Sequence, residues 1–102
     1  MSTQTEIKKL FNKARRIIKH PGLDLLVAPT QEKQGALIII TPGRIGTAVA
    51  RNTIRRRIKA LFHEEGLQKK GFDFVIIVKK DGTKLSYAQL KEIIYDATIK
   101  VH

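Results

Sequence analysis

Apolar residues recur along this chain in two rhythms, and the switches between them mark out its elements. Ile7, Leu10, Phe11, Ala14 and Ile18 fall at helical spacing after Thr3 and Glu6, a capping-box pair, so a first helix is predicted to begin near Gln4. Arg15 to Lys19 suits either the end of that helix or the start of a strand, and Pro21-Gly22 terminates both. Leu23 to Val27 and Ala36 to Thr41 read as strands; the polar loop Pro29 to Gly35 between them predicts an antiparallel pair. The second of these is apolar at nearly every position, the pattern of a central strand. Phe72 to Lys80 is a further strand, closed by the turn at Lys80-Asp81-Gly82.

Two more stretches return to the helical rhythm. Ala50, Ile54, Ile58 and Leu61 follow i, i+4, i+8, i+11 spacing, with Thr47 as a candidate N-cap and Gly66 as the stop. Ser86 and Gln89 form a second capping box, Leu85 and Leu90 can staple across it, and Leu90, Ile93, Ile94, Ala97 and Val101 continue as one stripe. There is no repeat, linker or low-complexity tract, so residues 1–102 are predicted to form one α+β domain. The strand at Leu37, the helix after it and the strand at Phe74 make a βαβ unit, and general chirality predicts a right-handed crossover.

Charge gives the middle helix a second meaning. The 102 residues carry 20 Lys and Arg against 9 Asp and Glu, a formal charge of +11 that repels itself in a compact domain unless a polyanion relieves it. Between Lys33 and His63 there is no acid, yet Arg44, Arg51, Arg55, Arg56, Arg57 and Lys59 crowd together. Asn52, Arg55, Arg56, Lys59 and His63 fall on the side of the helix opposite its apolar stripe, and Arg51 and Arg57 on its flanks. A merely solvated face mixes Glu with Lys as i, i+4 pairs, and this one has no acid before Glu64. Nucleic acid is the partner such a face suits.

The run Gly43-Arg44-Ile45-Gly46-Thr47-Ala48-Val49-Ala50-Arg51-Asn52-Thr53-Ile54-Arg55-Arg56 resembles the protein subunit of bacterial ribonuclease P. That family has a strand, a Lys-Lys-x-Gly-x-Ala-Val turn and a helix opening Arg-Asn-Arg-x-Lys-Arg. Arg44, Gly46, Ala48, Val49, Arg51, Asn52 and Arg56 match, and Arg55 and Lys59 keep the charge. Gly43 and Thr53 stand where the family has Lys and Arg, and Arg57 where an apolar residue is usual. Phe11 takes the second of two aromatic positions on the family's first helix, Ile7 the first, and Arg15-Arg16 a following basic pair.

The resemblance implies an αβββαβα sandwich with a four-stranded sheet and a left-handed crossover through the Arg-rich helix, against the general rule. It implies that Arg44, Arg51, Asn52, Arg55, Arg56 and Lys59 meet a catalytic RNA. It also implies that Phe11, Arg15 and Arg16 border a cleft for the 5′ leader of precursor tRNA. Magnesium is then expected in the RNA–protein holoenzyme, serving the RNA's chemistry, with no cofactor or metal held by the protein.

The residues themselves bear on competing functions. Gly43-Arg44-Ile45-Gly46 fits the Gly-x-x-Gly loop of KH domains, but that loop joins two helices and this one follows a strand. The nine acids are scattered, and His20, His63 and His102 share no motif, so no catalytic site of the protein's own is expected. Absence of cysteine excludes disulfides and thiolate sites. Without an 18-residue apolar run or a leader pattern, a cytoplasmic location with no membrane partner is expected, and no DNA partner is expected. The alternatives to a ribonuclease P subunit are a structured-RNA or ribosome-associated binder with no cleavage role, and a protein-only nuclease.

Overall fold

Alternation along the strand Leu23–Pro29 (β2) decides which way the sheet faces. Leu23, Leu25 and Val27 are buried in the main core, while Asp24 and Leu26 lie half-buried on the opposite face. The computed structural model describes residues 13–101, and the helix predicted from Gln4, with Phe11, lies outside the described residues. Arg15–Lys19 is a strand (β1), which settles the choice between helix and strand there. It pairs antiparallel with β2, with a bulge at Ile17.

The predicted pairing of the next two strands is corrected. Leu37–Ile40 (β3) does not adjoin β2; Phe72–Val78 (β4) lies between them, giving the order β1-β2-β4-β3. β2 runs antiparallel to β4 over seven residue pairs, and β3 runs parallel to β4 over four, from Leu37↔Phe74 to Ile40↔Ile77. The central strand is therefore β4, whose consecutive Phe74, Val75 and Ile76 are all buried, and the four residues of β3 are only half-buried at an edge. The loop Thr30 to Ala36 passes over the start of β4 instead of turning back on β2. Thr30 N–H donates to Gly71 O (3.1 Å), Gly35 N–H to Gln68 O (2.8 Å) and Ala36 N–H to Asp73 Oδ1 (2.8 Å).

Two helices cover one face of this sheet. Ala48–Glu64 (α1) is capped by Thr47, whose Oγ1 accepts from Ala50 N–H at 3.1 Å, and Gly66 at φ 68° provides the left-handed stop. Its Ile54, Ile58, Leu61 and Phe62 are buried, and Phe62 meets Phe74 of β4 edge-on at 5.3 Å. Tyr87–Lys100 (α2) opens with the predicted Ser86–Gln89 capping box and buries Leu90, Ile93, Ile94 and Ala97. One close approach fixes the corner between them: a Cβ on Gly82 would overlap the Gly22 carbonyl oxygen and Val78 Cγ1. The turn at Lys80–Lys84 is thus seated tightly against the start of β2.

Candidate nucleic-acid interface

Burial divides α1 as its sequence spacing requires. With the stripe from Ile54 to Leu61 buried, Asn52, Arg55, Arg56, Arg57, Lys59 and His63 are all exposed. Arg51 lies half-buried on the flank, its Nε enclosed without an acceptor among the described residues. Thr53, in the family's Arg position, is half-buried and turns its hydroxyl onto the Val49 carbonyl at 2.8 Å. It presents no charge and donates its hydroxyl to the helix itself.

Arg55 differs from its neighbours. Its Nη1 donates to Asn52 Oδ1 at 3.3 Å and its Nη2 to Thr41 Oγ1, so the guanidinium bridges α1 to the end of β3. Arg56 and Lys59 make no ion pair or side-chain hydrogen bond among the described residues, and their charges are available to a partner. Val49, Asn52, Arg55 and Arg56 together line an open concavity of about 410 Å³. Val49 is 75% exposed there, the most exposed large apolar side chain among the described residues.

Arg44 is brought to a different place. Gly43–Ile45 forms a single 3-10 turn anchored by buried Ile45, and the turn packs beside Lys80–Lys84. Arg44 shares a concavity of about 360 Å³ with Pro42, Ile45, Ile77, Val78, Lys79 and Lys80. A strand precedes this turn and one helix follows, so it is not the two-helix loop of a KH domain. Lys79 and Lys80 escape sequence reasoning because they follow the end of β4, 35 and 36 positions from Arg44, and only the parallel pairing of β3 with β4 unites them.

Arg15 and Arg16 are both exposed, but strand alternation sends them to opposite faces of the sheet. Arg16 pairs with Asp24 at 3.5 Å, and Lys79 Nζ meets the same carboxylate at 2.8 Å while donating to His20 O at 3.0 Å. Other acids are likewise dispersed: Glu64 accepts from Tyr87 and lies 3.7 Å from Lys91, Asp96 pairs with Lys100, and Asp73 holds Ala36. Among the described residues no three His, Asp or Glu side chains gather to hold a metal ion. No described helix is long and apolar enough to cross a membrane.

Known proteins share this fold. The family model described as Ribonuclease P matches residues 1–101. A ribonuclease P protein component from Psychrobacter sp. is 34% identical over 97 residues, covering 94% of this chain and 75% of the relative. One from Bacillus pumilus is 27% identical over 88 residues, covering 85% and 74% respectively. Among solved structures, the RNase P protein of Thermotoga maritima superposes with a TM-score of 0.82 at 18% identity, covering 100% of this chain and 96% of that one. The Staphylococcus aureus RNase P protein gives 0.78 at 17% identity, with the same coverages. With the family model spanning residues 1–101 and the fold matched by solved structures over the length of the chain, this chain belongs to the ribonuclease P protein family.

Proposed function

We propose that this chain is the RNA-binding subunit of a ribonuclease P, assisting a catalytic RNA in removing the 5′ leader of precursor tRNA in the cytoplasm. Beyond family membership, the observation that carries the reading is the acid-free outer face of α1, where Asn52, Arg55, Arg56 and Lys59 stand exposed over a buried stripe. That face and Arg44, with Arg51 on its flank, engage the phosphates of the catalytic RNA. Phe11 serves the leader by stacking and the Arg15–Arg16 pair by charge, with only one of the two arginines on the leader's side, since they leave the sheet on opposite faces and Arg16 is paired with Asp24. Magnesium belongs to the RNA's chemistry, and no step is assigned to an ion on the protein.

The chemistry follows from what the side chains can do. Arg and Lys neutralise phosphate repulsion as the RNA and its substrate approach, which lowers the divalent concentration that folding and docking require. As cationic donors with no acceptor atom, they cannot take a proton from water. Purified protein is mixed with precursor tRNA, with and without a bacterial ribonuclease P RNA, at near-physiological magnesium. Cleavage is expected only when both are present, and above the level given by the RNA alone. Cleavage by RNA-free protein would establish a protein nuclease, and RNA binding without any gain in cleavage would favour a structured-RNA binder.

A further inference from the structure

The concavity on α1 is built for more than phosphate. Its lining is not polar throughout: Val49 forms one wall and is 75% exposed to solvent. An apolar wall beside cations suits a nucleotide, whose base and ribose offer flat, weakly polar surface next to a charged group.

The polar groups restrict which base. Arginine has no acceptor atom, so the Asn52 amide atom that faces Arg55 Nη1 at 3.3 Å is the oxygen. The amide nitrogen, with its two N–H groups, is then the end left to a ligand. Arg56 adds further donors, and the Arg55 guanidinium stands against Oδ1, where it repels the positive hydrogens of an approaching amino group. We infer that this concavity takes an unpaired nucleotide through an acceptor-rich base edge, that of guanine, with O6 and N7 facing the Asn52 amide and Arg56 and Val49 against the sugar or ring. Adenine fits less well because its N6 amino group meets donors and positive charge. The nucleotide is unpaired because the deep, narrow major groove of an RNA helix hides this edge from side chains.

This inference rests on the reading of α1 as an RNA surface and adds base selectivity to it. The test follows the Asn52 side-chain amide and Val49 methyl signals of the full chain by NMR while 5′-GMP, 5′-AMP or inorganic phosphate is added. Guanine preference predicts that GMP shifts both signals and binds about tenfold more tightly than AMP, the size of one good base contact, while phosphate leaves the amide in place. Asn52→Asp keeps the acceptor for Arg55 and deletes the free donors, so it should abolish the difference between the two nucleotides. Equal binding of GMP and AMP, or an amide that moves as far with phosphate, overturns the inference. If that happens while the Arg56→Ala protein still loses affinity for ribonuclease P RNA, the RNA surface stands and only base selectivity falls. If Arg56→Ala changes nothing as well, both fall together.

Discussion

Asn52, Arg55 and Arg56 are near neighbours in sequence, but they do different work. Arg56 points into solvent with its charge unspent, whereas Arg55 is tied to Asn52 and Thr41 and holds the helix face to the end of β3. Arg56→Ala should therefore weaken RNA binding with an unchanged thermal melt. Thr41→Val keeps the side-chain shape but removes the acceptor; it should lower RNA affinity, though by less than Arg55→Ala, since the charge remains and only its placement is lost. Comparing the three affinities and melts checks this ordering. Fully buried Ile58 belongs to the opposite class: Ile58→Ala should cost about 2–5 kcal/mol of folding stability through lost burial and a residual cavity, measurable by denaturant titration. The two roles were legible in sequence because helical periodicity separates them. The bridge from Arg55 to Thr41 was not, since it joins residues 14 positions apart on different elements.

Secondary-structure elements divide in the same way between local and distant causes. Thr47, Gly66 and the Ser86–Gln89 capping box are short-range signals, and each sits where it was predicted. Ser86→Ala should cost about 1 kcal/mol, read as a lower denaturation midpoint with an unchanged slope. Sheet order depends instead on where a loop travels, and hydropathy says little about that. Leu37–Ile40 is a run of four apolar residues, yet it is an edge strand, because β4 offers longer pairing to β2 and buries both its own faces. The seat of Gly82 was equally hidden. Its glycine read as ordinary turn chemistry, but a side chain there would strike the Gly22 backbone, so Gly82→Ala should destabilise by about 1–3 kcal/mol. A calorimetric melt of that variant checks the close approach.

Viewed whole, the domain places its two described α-helices on one face of the sheet and its excess charge where few acids oppose it. Sequence reached the functional class through the motif from Arg44 to Arg56 and the charge of +11, while the grouping of Arg44 with Lys79 and Lys80 required the fold. If the outer face of α1 is the surface that meets the catalytic RNA, binding is dominated by counterion release and log K falls linearly with log salt. Each phosphate contact contributes roughly 0.7–0.9 to that slope. The decisive experiment is a salt titration of ribonuclease P RNA binding by the wild-type, Arg56→Ala and Lys59→Ala proteins. A slope lower by about one unit in each variant, with weaker binding and an intact fold, is the expected result. Wild-type slope and affinity in both variants would contradict it and move the RNA to another face of the molecule.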